Sequence, residues 1–439
     1  MTGLVNYPQY DSYKDSGIDW LGQIPQRWDI SPGFNAFTEN KRNNKGMKED
    51  VVLSLSYGKI IIKPKEKLIG LVPESFETYQ IVEPGDIIVR CTDLQNDKTS
   101  LRTGLAINHG IITSAYLNLK VTNKYLSKYL HYYLHAVDTS KVIYRLGTGL
   151  RQNLSYLDFK RFPVLDILKS EQAEIVNFLD QKTTQIDEAI ALKQKQIALL
   201  KERKQILIQN AVTQGLNPNT PMKDSGIDGI GKIPEYWKVF PLKGLCKAYG
   251  RIGFRGYTVS DLVDEGEGAI TISPSNIFED LMTFKKCSYL SWKKYFESPE
   301  IQIQNEDILI VKTGSTFGKI GYVNGLNKPA TINPQLLVLK EIKTVKKYLY
   351  FVLKSSQVQV QINQKVIGST IPTISETKIL NFKVALPSMA EQQEITQFIE
   401  NSNYEIDQAI TLQKQQIDQL KEYKTTLINS AVTGKIKVS

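Results

Sequence analysis

Two groups of polar residues have the types and loop settings needed to bond to bases and phosphates. In the first half of the chain they are Arg90, Thr92, Lys98, Arg102, Arg151 and Gln152. In the second half they are Arg251, Arg255, Ser275, Asn276, Lys312, Thr313, Ser315 and Lys319. Arg and Gln can bond bidentately to a base edge, while Lys, Arg and open backbone N–H groups hold phosphate oxygens. Residues 90–104 follow a strand pattern and are polar, and Arg151-Gln152 sits in a glycine-flanked loop. Arg251-Ile-Gly-Phe-Arg-Gly256 and Lys312-Thr-Gly-Ser315 are basic loops whose glycines permit close approach.

Enzyme chemistry finds little support. Gly314-Ser-Thr-Phe-Gly-Lys-Ile320 has three residues between its glycines where a phosphate loop has four, and Ile where Ser or Thr would meet magnesium. Gly147-Thr-Gly149 lacks the third glycine of a dinucleotide fingerprint, and no methyl-donor loop is evident. Asn333-Pro-Gln-Leu336 lacks the second proline and the aromatic of an adenine methyltransferase motif. His131 and His135 have the spacing of a zinc pair, but there is no HExxH motif and no nearby cysteine, and they lie among Tyr129, Tyr132, Tyr133 and Leu134, which favours a structural role. Glu422-Tyr-Lys424 falls in a helical seam with no acidic strand beside it, so it is not a nuclease site. No catalytic residue and no metal ligand is expected.

The elements that must carry the two loop sets are duplicated. Residues 14–30 (KDSGIDWLGQIPQRWDI) and 223–239 (KDSGIDGIGKIPEYWKV) align without a gap, with 10 identities in 17. Residues 171–213 and 391–433 align without a gap at an offset of 220, with 21 identities in 43. Each repeat has a short leading motif, a variable body and a helical segment. The bodies carry β-branched runs such as Asp86-Ile-Ile-Val89 and Asp307-Ile-Leu-Ile-Val311, and read as mixed α/β domains. They share a faint plan: 85–90 matches 306–311, 117–120 matches 337–340, and 147–155 matches 368–375 with one residue fewer.

The helical segments repeat apolar residues at alternating spacings of three and four. In the first these are Ile186, Ile190, Ile197, Leu200, Leu207 and Ala211, with Lys193 and Lys204 in the gaps. In the second they are Ile406, Ile410, Ile417, Leu420, Leu427 and Ala431, with Gln413 and Lys424 in the gaps. This is a coiled-coil seam. Two matched seams separated by a whole domain pair most readily with each other, antiparallel. The expected division is a first domain over 1–170, a long helix over 171–213, a linker over 214–222, a second domain over 223–390 and a C-terminal long helix over 391–439. The fold class is α+β: two similar mixed α/β domains separated by two long helices that form an antiparallel coiled coil, with pseudo-two-fold duplication.

Charge points to the same layout. The formal net charge is +10, made of +5 over 1–170, zero over 171–213, +7 over 214–390 and −2 over 391–439. The basic excess belongs to the bodies, which suits two nucleic-acid grips on a neutral spacer. Neutral helices speak against a membrane-surface role. No stretch approaches a membrane span, no apolar leader opens the chain, and three well-separated cysteines fit a reducing cytosol.

Lys-Asp-Ser-Gly-Ile-Asp followed by Ile-Pro and Trp, a strand-rich body, then Glu-Gln and a long helix ending in Ala-Val-Thr, all occurring twice, resembles the specificity subunit of type I restriction–modification systems. The likeness covers essentially the whole chain. Pro163-Val-Leu165 and Leu386-Pro-Ser-Met389 stand where the family has a proline-rich segment before each helix. The resemblance implies two target-recognition domains, each reading one half of a split, asymmetric site on double-stranded DNA. It implies that the coiled coil fixes the distance between them, and that the subunit does no chemistry itself. The implied partners are two methyltransferase and two restriction subunits in a bacterial or archaeal cytoplasm. S-adenosylmethionine, ATP and Mg would be bound by those partners, with no cofactor on this chain.

A seam of about 26 residues is roughly 39 Å long at 1.5 Å per residue, close to one turn of DNA. The leading-motif residues Asp15, Gly17, Ile24, Pro25, Trp28 and their duplicates Asp224, Gly226, Ile233, Pro234, Trp237 suit packing against a helix end better than docking. Exposed helix faces are the better docking surfaces for two equivalent partners. The competing readings are a non-catalytic architectural DNA-binding protein acting alone, and an enzyme whose motif is cryptic.

Overall fold

The computed structural model describes residues 7–438 apart from 65, 67–74, 93, 95–100, 147–152, 228–229, 279–280 and 365–371. The chain forms two compact units. The first comprises residues 1–195 and 413–439, the second residues 196–412. Each therefore contains one body and a part of both long helices, Lys169–Gln214 and Met389–Val432.

Both bodies are built on a four-stranded antiparallel sheet of the same order. In the first unit it runs Phe37–Glu39, Tyr116–Val121, Ile87–Arg90, Thr103–Leu105. In the second it runs Lys247–Gly250, Leu336–Lys340, Ile308–Val311, Ile320–Tyr322. The register puts Leu117 opposite Val89 and Leu337 opposite Ile310, so the first two of the faint sequence matches are structural equivalences, while the third, 147–155 with 368–375, lies largely outside the described residues. Ile87–Val89, Ile308–Val311 and Leu336–Leu339 are continuous apolar runs because both faces of the sheet are covered. In the second unit Ile308, Ile310, Leu337 and Leu339 enter one core, while Leu309, Val311, Leu336 and Val338 enter another. In the first unit Ile87, Val89, Leu117 and Leu119 enter the helix-side core, and Ile88 enters the opposite one.

A smaller strand group covers the far face and is also duplicated. In the second unit it is a five-stranded sheet in which Gly268–Ile272 pairs parallel with Ala330–Ile332 and antiparallel with Ser288–Ser291. In the first unit Leu53–Ser56 pairs with Lys59–Ile62, Gly110–Ile112 pairs with Gln80–Val82, and Val52 bridges Ile111 in parallel.

Within the first unit the two long helices run antiparallel. Lys424 Nζ meets both Asp187 oxygens at 2.7 Å, and Lys193 Nζ reaches Gln413 Oε1 at 3.2 Å and Gln416 Oε1 at 2.5 Å. Within the second unit Lys204 Nζ meets both Asp407 oxygens at 3.1 and 3.0 Å, and Ile208 and Val212 share a core with Ile395 and Ile399. The Lys204–Asp407 pair is the duplicate of Lys424–Asp187. Of the seam residues, Ile186, Ile406, Ile410, Ile417 and Leu427 are buried, and Ile190, Ile197, Leu200, Leu207 and Leu420 are half-buried. The second long helix ends at Val432, short of the chain end expected from sequence. Gly434, at φ +73°, turns the chain back, Ile436 is buried, and Lys437 N donates to Pro8 O at 2.7 Å.

The leading motifs are structural. Each makes a hairpin, Tyr13–Asp15 with Gln23–Pro25 and Met222–Asp224 with Lys232–Pro234. Ile24, Trp28, Ile233 and Trp237 are buried. Each tryptophan donates its indole N–H to the glutamate at the start of a long helix, Trp28 to Glu171 Oε1 at 3.0 Å and Trp237 to Glu391 Oε1 at 3.2 Å. Gly434 is required where it stands, because a Cβ there would lie 2.5 Å from Pro25 Cδ and 2.7 Å from Trp28.

Candidate nucleic-acid interface

The antiparallel register decides which loops share a sheet end. In the first unit Tyr116 lies opposite Arg90, and Asn40 N donates to Asn118 O at 2.9 Å. Residues 40–43, the loop after Arg90 and the turn at 113–115 therefore emerge together. The loop is closed at its base by Arg90 N to Arg102 O at 2.8 Å, and Leu154 N donates to Cys91 O at 2.9 Å. That second bond brings the segment before helix Tyr156–Arg161 beside the same loop.

The second unit repeats this construction. Val311 N donates to Lys319 O at 2.9 Å, and Ile374 N donates to Lys312 O at 3.0 Å. Thr313 and Thr373 form a bridge, with their hydroxyl oxygens 3.3 Å apart. Segment 314–320 thus links two antiparallel strands rather than a strand and a helix. That is the wrong setting for a phosphate loop, whose anion sits at a helix N-terminus.

The sequence-derived candidates divide by where their side chains go. Thr92, Ser275 and Ser315 are exposed, and Arg90, Arg255, Lys312, Thr313 and Lys319 are half-buried. Arg255 Nη1 is 3.2 Å from Glu300 Oε1, and the Lys319 ammonium donates to the Ile277 carbonyl. Lys98, Arg151 and Gln152 lie outside the described residues.

Three candidates turn inward and are corrected. Arg102 is 0% exposed; its Nη1 donates to Thr92 O at 2.8 Å and Arg90 O at 3.3 Å, and its Nε to Tyr144 Oη at 3.2 Å. Arg251 is 6% exposed and bonds the Ile332 and Arg255 carbonyls and Thr331 Oγ1. Asn276 is buried; its Oδ1 accepts from Ser273 N at 2.8 Å and its Nδ2 donates to Thr283 O at 3.0 Å. Each satisfies backbone groups that a buried loop cannot leave unpaired. They shape the loops and do not present themselves to a ligand.

Sequence reasoning passed over a further set. A cleft of about 250 Å³ at the same end of the first unit is lined by Lys41, Arg42, Asn43, Tyr79, Ser114 and Asn118, among others. Lys41 and Asn43 are exposed. Arg42 is anchored by Asp86 at 2.5 Å, and Asn40 Nδ2 bonds the same carboxylate at 3.1 Å. The signal was present: Asn40-Lys-Arg-Asn-Asn-Lys45 is a basic polar run directly after a strand.

His131 and His135 lie side by side, with ring centroids 6.5 Å apart. Burial, with His135 and Lys128 adding unfavourable charge, lowers the His131 pKa to about 4, and burial does the same for His135. Among the described residues no group of three or more His, Cys, Asp or Glu side chains could hold a metal ion. Among the same residues no helix is long and apolar enough to cross a membrane.

Residues 234–422 match the family model of the type I restriction modification DNA specificity domain. The type I restriction enzyme MjaVIII specificity subunit of Methanocaldococcus jannaschii is 26% identical over 341 residues, spanning 75% of this chain and 75% of that protein. A chain from a solved type I R-M system superposes with a TM-score of 0.67 at 14% identity, covering 93% of this chain and 98% of its own. The HsdS subunit from Thermoanaerobacter tengcongensis superposes with a TM-score of 0.51 at 14% identity, covering 94% of this chain and 98% of its own. At such identities the structural likeness is one of fold.

Proposed function

Since the chain belongs to the specificity subunits of type I restriction–modification systems, we propose that it reads a bipartite, asymmetric sequence on double-stranded DNA, one half-site per unit. The observation that carries this reading is the duplicated loop construction, present once in each unit on the same sheet end. Two equivalent grips with different loop residues suit two different half-sites. Bodies 1–170 and 223–390 act as the recognition heads, and the long helices as the spacer. In the first head Arg90, Thr92, Lys98, Arg151 and Gln152 contact DNA, joined by Lys41 and Asn43. In the second, Arg255, Lys312, Thr313, Ser315, Lys319 and Ser275 do so. Arg102, Arg251 and Asn276 hold those loops in shape.

The subunit does no chemistry of its own. It places two methyltransferase and two restriction subunits on the site, and S-adenosylmethionine, ATP and Mg are bound by those partners. The two long helices offer equivalent outer faces to two equal partners. The test is the pattern of methylated adenines in a host carrying this gene with its methyltransferase. Two short half-sites separated by a fixed non-specific spacer are expected. A continuous motif would overturn the reading.

A further inference from the structure

In the first unit, strands Leu53–Ser56 and Lys59–Ile62 form a tight hairpin, with Ser56 opposite Lys59. Its two turn residues are Tyr57 and Gly58, with φ of +48° and +77°. A two-residue turn with both φ values positive favours Asn or Gly at its first position, because a Cβ is strained there. A bulky aromatic is a poor choice on local grounds. Its ring is not recovering that strain by packing, since Tyr57 is 93% exposed.

The hairpin tip lies on the candidate interface. Val52 bridges Ile111 in parallel, so Leu53–Ser56 runs toward the same end as Gly110–Ile112. That strand leads into the turn at 113–115 and to Tyr116, which faces Arg90. Side-chain packing agrees. A Cβ on Gly58 would lie 2.9 Å from Leu101 Cδ1, in the loop that follows Arg90. Lys59 is exposed beside the tip.

The second unit offers a counterpart. After strand Gly268–Ile272 the chain makes a small hairpin in which Ile277 pairs with Met282 and Phe278 with Leu281. Phe278 is 65% exposed. The hairpin is fastened to the equivalent loop by the Lys319 ammonium on the Ile277 carbonyl. Each unit therefore sets an exposed aromatic, on a hairpin, next to the loop after the third strand of its sheet.

We infer that Tyr57 is a base-contacting residue, its ring packing against a base step of the half-site read by the first unit. This rests on the DNA-recognition reading above. A π-face against bases gains affinity with little dependence on hydrogen-bond pattern. A short hairpin holds the ring out at low cost in side-chain freedom. Local strain kept at a solvent-exposed tip, with no packing in return, is what a site retained for a ligand shows. Phe278 takes the same role for the other half-site.

The test uses the full chain assembled with its methyltransferase, and a duplex carrying the site revealed by host methylation. Tyr57→Asn installs the residue the turn prefers, so the melting temperature stays level or rises. Binding to the duplex weakens on the order of tenfold, and Tyr57→Phe, which keeps the ring, recovers most of it. In Tyr57→Asn the effect of base changes in the first unit's half-site is altered, and that of changes in the other half-site is not. Wild-type affinity in Tyr57→Asn overturns the inference. So does a fall in melting temperature in both Tyr57→Asn and Tyr57→Gly, which would make the ring structural. Absence of sequence-dependent binding by the wild type would instead overturn the recognition reading on which it rests.

Discussion

Glu171 should be a single-residue fastener for the first unit, and its duplicate Glu391 a weaker one for the second. Three donors converge on Glu171 Oε1: Arg27 Nη2 at 2.7 Å, Tyr10 Oη at 2.9 Å and Trp28 Nε1 at 3.0 Å. Trp28 is 1% exposed, so Glu171→Ala leaves its N–H with no acceptor and no water, which costs about 1–3 kcal/mol. Loss of a negative charge in the first helical turn adds about 0.3–1 kcal/mol. The Arg27 pair adds little, because the Arg27 side chain is 58% exposed and water screens it. The total is about 1–4 kcal/mol.

At Glu391 the donors are Trp237 Nε1 at 3.2 Å and Tyr236 Oη at 2.8 Å, and Tyr236 is 57% exposed. Trp237 is as buried as Trp28, but its bond to Glu391 is longer and only partly buried, so water can replace the carboxylate for both donors and Glu391→Ala should cost about 1–2 kcal/mol. Native-state hydrogen exchange reads each unit separately. The reporters are the amides of Ile87–Arg90 in the first unit and Ile308–Val311 in the second. Glu171→Ala should lower protection of the first set by a larger factor than Glu391→Ala lowers the second. Equal losses, or a loss below about 0.5 kcal/mol at Glu171, would refute the reasoning.

Two predictions concern pH. His131 and His135 are held neutral, with folded pKa values of about 4 against 6.5 when exposed. Their contribution is complete above pH 6.5 and is lost as pH falls toward 4, since the unfolded chain gains protons first; urea unfolding of His131→Leu/His135→Leu should show a flatter acid limb than the wild type. His109 has the opposite sign. It bonds Glu83 at 2.8 Å and Glu49 at 2.9 Å, and the Glu83 bond leads in raising its pKa. Its contribution is complete below pH 6.5 and is lost as pH rises through the raised value. It should weaken in salt, because the side chain is 45% exposed; protection of the Gly110–Ile112 amides, measured at two ionic strengths, checks this.

The fold was legible wherever a repeat or a period constrained it. The offset of 220 between the helical segments reappears as the paired contacts Lys424–Asp187 and Lys204–Asp407. Runs such as Ile308–Val311 are apolar on both faces because both are covered. Side-chain direction in loops had no such signal. Arg102 and Thr92 sit in one polar stretch, yet one guanidinium folds back on carbonyls and the other side chain is exposed. Arg251 and Asn276 fail for the same reason: a polar residue serves backbone groups as readily as a ligand, and sequence does not distinguish the two uses. Lys41 and Asn43 were missed although their run resembles the one that drew attention to Arg90. Tyr57 gave no signal, because only its positive φ and its exposure mark it.

The most direct test compares methylation patterns from the wild type and from a chain with one heptad inserted at equivalent points of both long helices. Seven residues add about 10.5 Å of helix, a bound of about three base pairs. The account predicts the same two half-sites with a longer spacer. An unchanged spacer would contradict it.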